Sequence, residues 1–201
     1  MKDDDSSESC IKCHMPKVKG GVENFDKKSR FFHKSHRFLG IHDAKFRQSG
    51  IDINISNSKD EIILTLKNKM AHPLIIQPAR VKFFKIELFR EGKKIWQNYK
   101  VTPSEDKKGY FSYFFKNSNN KKTIIPNKAT KMWSNNLKAD ERRSLRYKVL
   151  DIKNRDLLKV KYFVQFAKND CKEIIDLNDS NLVKPQLIKE VEKYLDKPLN
   201  K

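Results

Sequence analysis

The stretch IDINISNSKDEIILTL, residues 51–66, decides the fold. Every second residue on both sides of a turn at 57–60 is Ile or Leu, and the residues between them are polar except for Ile63. These apolar residues are Ile51, Ile53, Ile55, Ile62, Leu64 and Leu66. Alternation with a period of two is typical of strands with one buried face, and a turn rich in Asn, Ser and Asp joins them. The stretch therefore predicts a β-hairpin.

Strand patterns continue beyond this hairpin. A second hairpin is predicted from residues 81–89 and 94–101 around a turn at 90–93, where Gly92 can take the positive φ that a short loop requires. Further candidate strands are 110–115, 122–125, 144–149 and 158–167. Short strands between turns, with hardly any helix, predict a mainly β fold: an antiparallel β-sandwich of the Ig-like or fibronectin-like kind.

The pattern divides the chain into three regions: an irregular or short-helical segment over 1–50, the β-sandwich over 51–170, and a tail over 171–201. A short helix is expected over 29–39, where Phe32, His36 and Leu39 share one face. The tail is expected to end in an amphipathic helix that follows Pro185. Its apolar residues at helical spacing are Leu187, Ile188, Val191, Tyr194 and Leu195.

The chain has 201 residues and a formal charge of +19, a balance that first suggests an anionic partner. The excess consists mainly of scattered Lys, without an Arg-rich helix or a nucleic-acid motif, so we expect a solvated lysine-rich surface and no nucleic acid. No apolar run is long enough to span a membrane, so no transmembrane segment is expected. Residues 1–9 are acidic and polar, unlike a signal peptide.

The motif Cys10-Ile11-Lys12-Cys13-His14 carries the most specific chemistry in the chain. In C-x-x-C-H, the two cysteine sulfurs add to the vinyl groups of haem, and the histidine binds the iron from the proximal side. Cys10 and Cys13 are the predicted thioether residues, and His14 is the predicted proximal axial ligand. The predicted cofactor is haem c.

The iron then needs a ligand on the opposite face of the ring. Met15 directly follows His14 and is confined to the same face, so the other histidines are the candidates. They are His33, His36, His42 and His72. Ligation by two histidines gives a lower reduction potential than ligation by histidine and methionine.

Zinc is the competing interpretation. Cys10 and Cys13 are followed, after nineteen intervening residues, by the pair His33 and His36, and two thiolates with two imidazoles can bind zinc. The second pair is spaced more tightly than usual, and no second C-x-x-C occurs. A disulfide between the two cysteines is a further alternative, and Cys171 is expected to be a lone thiol.

The extended motif C-I-K-C-H-M-P-K, followed by S-H-R-F-L-G-I-H at 35–42, resembles bacterial multihaem c-type cytochromes, which are related to the tetrahaem and pentahaem cytochromes of the nitrogen cycle. The resemblance implies His36 as a distal ligand, with His42 next. A G-H-x-x-P-T-G…R segment of the family corresponds to 71–80, where His72 and Arg80 are kept but both glycines and the threonine are absent. His33 and His72 are therefore the weaker candidates.

The resemblance also shapes the expected function. Family members carry several C-x-x-C-H motifs and this chain has one, so we expect the C-terminal portion of such a cytochrome. Electron transfer is the expected activity, and catalysis would need further haems on another chain or on a missing N-terminal part. The expected partner is an acidic redox protein or another haem-bearing subunit, and the location is periplasmic if the chain is part of an exported protein. The alternative is a non-catalytic β-sandwich binding or structural protein with the zinc site.

Overall fold

The computed structural model describes residues 14–20, 31–35, 43–58, 60–123, 128–168 and 180–196. The chain divides into two compact units, 1–50 and 51–201. In the first unit, strands β1 (Lys17–Lys19) and β2 (Phe32–Lys34) form a two-stranded antiparallel ladder, and helix α1 spans Ala44–Ser49. The helix predicted over 29–39 is wrong, because residues 32–34 are extended and pair with β1.

The second unit is built from antiparallel strands, which confirms the predicted mainly β, sandwich-like fold. Its elements are β3 (Ile51–Ser58), β4 (Glu61–Asn68), β5 (Val81–Arg90), β6 (Lys93–Gln97), a 3₁₀ turn (Pro103–Glu105), β7 (Tyr110–Phe111), β8 (Tyr113–Lys116), β9 (Lys122–Thr123), β10 (Lys131–Ser134), β11 (Arg142–Lys148), β12 (Leu157–Gln165), α2 (Ser180–Val183) and β13 (Gln186–Tyr194). The small sheet has the order β11-β4-β3. The large sheet has the order β13-β12-β5-β6, with β7 also paired to β5, and a third sheet has the order β10-β8-β9.

Both predicted hairpins form, although the strand predicted over 94–101 ends at Gln97. The first joins β3 to β4, and Asn57 and Ser58, expected in the turn, are the last residues of β3. The second joins β5 to β6 through Glu91 and Gly92, which both have positive φ, +50° and +79°. Positive φ at both central residues matches the twist of a two-residue hairpin loop. The freedom predicted for Gly92 is confirmed, whereas Glu91 was not predicted to adopt this conformation.

The candidate strand at 110–115 is two strands. β7 pairs with β5 in the large sheet, and β8 pairs with β9 and β10 in the third sheet. Between them lies the fully buried Ser112, whose backbone N–H donates to the side chain of Asn135 (3.0 Å) and whose carbonyl accepts from Ser134 Oγ (3.0 Å). These side-chain bonds satisfy the backbone where the chain leaves one sheet for another.

The C-terminal helix predicted after Pro185 is also wrong. Residues 186–194 form the edge strand β13, which pairs with β12. The pairing moves from Tyr162 and Lys189 to Phe163 and Leu187, so Ile188 is the extra residue of a β-bulge. Ile188 is buried, Val191 is half-buried, and Leu195, just after the strand, is buried. The bulge thus places an inward residue at a position that strict alternation would turn outward, and the resulting spacings of three and four resemble those of a helix.

Lysines of β13 connect the large sheet to the small one. Lys189 Nζ donates to the carbonyl of Ile51 (2.9 Å), and Lys193 Nζ donates to that of Ile55 (3.3 Å). These bonds bring side-chain donors to backbone carbonyls of β3, one of the two edge strands of the small sheet.

The core of the sandwich lies between the inner faces of these two sheets. The small sheet contributes alternate residues such as Ile62, Leu64 and Leu66, and the large sheet contributes Phe84, Ile86, Leu88, Leu158, Val160 and Tyr162, all at most 1% exposed. Phe84 is the centre of an aromatic cluster. Its ring stacks on Tyr162 with centroids 4.7 Å apart and meets the edge of Phe111 at 6.1 Å.

Two buried tyrosines differ in whether their hydroxyl group has a hydrogen-bond partner. Tyr162 is fully buried, and its hydroxyl has no hydrogen-bond partner among the described residues, whereas Tyr147 donates to Asp106 Oδ2 at 2.8 Å. Burial and the Asp106 carboxylate raise the pKa of Tyr147, so this hydroxyl stays protonated and keeps donating.

We expect Tyr162→Phe to leave the free energy of unfolding unchanged or to raise it by about 1 kcal/mol, and Tyr147→Phe to lower it by about 1–2 kcal/mol. The reason is that only Tyr147→Phe removes a donor from a buried carboxylate. Urea unfolding of the two variants, followed by circular dichroism, measures both changes. Equal losses in the two variants would show that the Tyr162 hydroxyl has a partner after all.

Candidate functional site

The candidate site lies in the first unit, around His14. Cys10, Cys13, His36 and His42 lie outside the described residues, so the described part of the site consists of His14, His33 and their neighbours. Among the residues that the structure describes, no three His, Cys, Asp or Glu side chains are grouped so as to hold a metal ion.

His14 is half-buried against an aromatic ring. The centroids of the His14 and Phe46 rings lie 5.1 Å apart, tilted by 53°. Asp43 precedes α1 as its N-cap residue. Its carboxylate accepts a hydrogen bond from the Phe46 backbone N–H at 2.8 Å, which fixes the position of Phe46. A side-chain oxygen at this position stabilises a helix start. The imidazole next to the cysteine pair is thus packed against an apolar neighbour.

His33 is positioned by the ladder of β1 and β2. The ladder begins three residues after His14 and pairs His33 with Val18. It is extended by hydrogen bonds from Gly20 N to Phe31 O (3.2 Å) and from Ser35 N to Pro16 O (2.9 Å). The backbone pairing therefore holds His33 opposite a strand that directly follows the cysteine-histidine motif.

The tautomer of His33 follows from its hydrogen bond. Nδ1 lies 2.7 Å from the carbonyl oxygen of Gly20, and a carbonyl only accepts, so Nδ1 carries the hydrogen. In the neutral ring the lone pair is then on Nε2, the arrangement in which a second hydrogen bond orients a metal-binding imidazole. Gly20 has φ +122°, a conformation that favours glycine.

His72 belongs to the second unit and lies in the loop after β4. Its Nδ1 donates to the carbonyl of Pro73 at 2.9 Å, which also leaves the lone pair of the neutral ring on Nε2. The side-chain amide of the buried Asn68 fixes this loop by donating to the carbonyls of His72 (2.9 Å) and Lys138 (2.7 Å). Arg80, the other residue kept from the family segment, places its guanidinium 5.8 Å from the centre of the Phe166 ring, and burial lowers its pKa.

The donor set fits haem c. Two thiols separated by two residues and an adjacent imidazole are the groups that covalent attachment requires, and His14 lies beside the kind of apolar ring that suits a haem neighbour. When bound, the haem supplies one-electron oxidation and reduction. The sequence did not single out Phe46 or Gly20. The signal that could have pointed to Phe46 was the helix-capping residue Asp43, and the signal for Gly20 was a glycine at the end of a short strand.

Comparison with known proteins finds the same fold in a cytochrome. A penta-heme cytochrome c552 from Thermochromatium tepidum is similar in structure, with a TM-score of 0.74 and 22% sequence identity, over 94% of this chain and 48% of that one. The chain therefore has a fold like part of a multihaem cytochrome, and it spans about half of that protein's length.

Two β-glucuronidase structures also match weakly. A Bacteroides uniformis β-glucuronidase and a β-glucuronidase 2 from the same organism, covalently bound to cyclophellitol-6-carboxylate aziridine, have TM-scores of 0.29 and 0.28 at 11% identity, and each match covers 88% of this chain and 17% of the enzyme. Likeness at this level carries no functional argument. No protein-family model and no curated protein matches the chain.

In the part of the chain that the structure describes, no helix is both long and apolar enough to cross a membrane.

Proposed function

We propose that this chain transfers electrons through one covalently bound c-type haem, as the C-terminal part of a multihaem cytochrome. The motif Cys10-Ile11-Lys12-Cys13-His14 is the observation that carries the proposal. Cys10 and Cys13 hold the haem by thioether bonds, and His14 binds the iron from the proximal side. The similarity in fold to a penta-heme cytochrome c552 supports this assignment.

The second axial ligand is a histidine, with His36 first and His42 next among the candidates. His33 and His72 have the tautomer that a ligand needs, since each donates through Nδ1 to a carbonyl. They remain weaker candidates because the family resemblance favours the S-H-R-F-L-G segment. An iron with both axial positions filled moves electrons and has no open position for a substrate.

The chain therefore acts as an electron carrier, and any reductase chemistry would need haems from elsewhere. Its charge of +19 would favour an acidic redox partner or an acidic face of another haem-bearing subunit. Attachment of the haem places the maturing chain in the bacterial periplasm, reached as part of an exported protein.

Axial ligation can be tested with the chain fused to an export signal in a bacterial host that matures c-type haem in its periplasm. We expect a low-spin absorption spectrum and low-spin electron paramagnetic resonance signals. His36→Ala is expected to convert the iron to high spin, because it opens one axial position. His33→Ala, His42→Ala and His72→Ala are the matched controls and should stay low spin.

A high-spin wild-type protein would contradict ligation by two histidines, although not haem attachment itself. Conversion by His42→Ala alone would transfer the distal role to that residue. A wild-type chain that contains stoichiometric zinc and shows no Soret band would instead establish the alternative, a zinc-bearing β-sandwich protein that uses Cys10, Cys13, His33 and His36.

A further inference from the structure

A surface pocket lies in the second unit, on the face of the large sheet that points away from the core. Phe84 and Ile86 of β5 face the core, so the intervening Phe83 and Lys85 face the other way. The pocket has a volume of about 450 Å³. Its lining residues come from β5, β6, the segment after β6, β12 and the residue before β13: Phe83, Lys85, Lys94, Gln97, Tyr99, Lys100, Val101, Pro103, Phe163 and Pro185.

The floor of the pocket is aromatic. The rings of Phe83 and Phe163, on paired strands, stack with centroids 5.3 Å apart and an interplanar angle of 19°. Tyr110 continues the row, 6.4 Å from Phe83. Pro103 and Pro185 add apolar lining. Phe83 itself is 2% exposed, so a flat apolar group of a ligand can pack on the half-buried Phe163 and on the prolines and bury its area from water.

The rim of the pocket is positively charged. None of the described residues that line it is acidic, whereas three are lysines. The carboxylate of Glu87 lies between two of these lysines, with its Oε1 3.5 Å from Lys85 Nζ and 3.1 Å from Lys94 Nζ. The carboxylate of Glu105 lies near the third, because its Oε2 accepts from the backbone N–H of Lys100 at 2.9 Å. The three rim lysines therefore exceed these two neighbouring carboxylates by one positive charge.

Two groups beside this rim, Glu87 and Tyr99, have shifted pKa values. Burial alone would raise the pKa of Glu87, but the hydrogen bond from Lys94 and the charges of Lys85 and Lys94 outweigh burial and hold that pKa below its ordinary value. Burial and the charges of Glu87 and Asp106 raise the pKa of Tyr99 to about 12. The Tyr99 phenol thus keeps its hydrogen and can donate a hydrogen bond to an anion.

We infer that this pocket binds a small organic anion with a flat apolar body, such as an aromatic carboxylate or sulfonate. The apolar body lies on Phe163 and the neighbouring prolines, and the anionic group lies among Lys85, Lys94 and Lys100. The inference stands apart from the haem, because the residues that carry it all belong to the sandwich unit.

Isothermal titration calorimetry with naphthalenesulfonate tests the pocket on the full haem-loaded chain. We expect saturable binding at one site. Lys100→Glu should weaken it about tenfold or more, because it replaces an attractive charge near the anion with a repulsive one. Lys94→Gln should weaken it less, since Glu87 keeps Lys85 as a partner.

The matched control is Lys148→Glu, which makes the same charge change at an exposed residue of β11 in the other sheet. It should leave the affinity within about twofold. Naphthol, which has the rings without the charge, should bind about tenfold more weakly or not at all.

Absence of saturable binding to the wild type would overturn the inference. A loss of affinity in Lys148→Glu as large as that in Lys100→Glu would also overturn it, because only the overall charge would then matter. Binding of naphthol as tight as that of naphthalenesulfonate would overturn it too, because the lysines would then play no part. Circular dichroism spectra that match the wild type are required of each variant before its affinity is compared.

Discussion

Replacement of Cys10 and Cys13 by alanine is expected to abolish covalent haem attachment completely. The thioether bonds have no other source in the motif, because each cysteine sulfur forms one of the two bonds to the vinyl groups. The double variant, matured in the periplasm of a host with the c-type haem machinery, should give a denatured polypeptide without haem absorbance. The wild-type polypeptide should keep its haem after denaturation.

Cys171→Ala is the matched control, because it removes the remaining cysteine of the chain. It should leave haem attachment unchanged. Haem that survives denaturation in the double variant would contradict the assignment of these two residues. A wild-type protein with zinc that is lost in Cys13→Ala and does not depend on haem maturation would favour the zinc site.

Truncation of Phe84 is expected to cause the largest loss of stability among single changes in the sandwich. Phe84 is 1% exposed and packs against both Tyr162 and Phe111. We expect Phe84→Ala to lower the free energy of unfolding by about 3–5 kcal/mol, since it removes a buried ring and leaves a cavity. Urea unfolding followed by far-ultraviolet circular dichroism measures the change.

Leu150→Ala provides the comparison, because Leu150 is also apolar but 71% exposed. It should change the unfolding free energy by less than about 0.5 kcal/mol. A loss below about 1 kcal/mol in Phe84→Ala would contradict the placement of Phe84 at the centre of the aromatic cluster.

The fold could be predicted from the sequence where local signals agreed with the strand pairing that the structure shows. The hairpin of β3 and β4 could be predicted because Ile or Leu recurs at every second residue on both sides of a turn within residues 51–66. Gly92 could be predicted as a turn residue for a similar reason. Both features depend on residues that are neighbours in the chain.

The two helix predictions were wrong because partners distant in sequence outweighed local spacing. Phe32 belongs to a strand whose partner is β1, which residues 29–39 alone cannot reveal. In β13, the bulge at Ile188 interrupts the alternation, so that Ile188 and Val191, three residues apart, both turn away from solvent. A period-based argument cannot distinguish such a bulged strand from an amphipathic helix.

Prediction of the candidate site had a similar limit. Five adjacent residues contain all the groups of the cysteine-histidine motif, so its chemistry could be predicted from the sequence. The contact of His14 with Phe46 and the hydrogen bond of His33 to Gly20 join residues far apart in the chain. They follow from the cap at Asp43 and from the ladder of β1 and β2, whose pairing was not predicted.

The mass of the intact, denatured chain after periplasmic maturation tests the central proposal most directly. We predict the mass of the polypeptide plus one haem, with the haem located by peptide mapping on the peptide that contains Cys10 and Cys13. A mass equal to that of the polypeptide alone, from a host that attaches haem to a control cytochrome, would contradict the proposal.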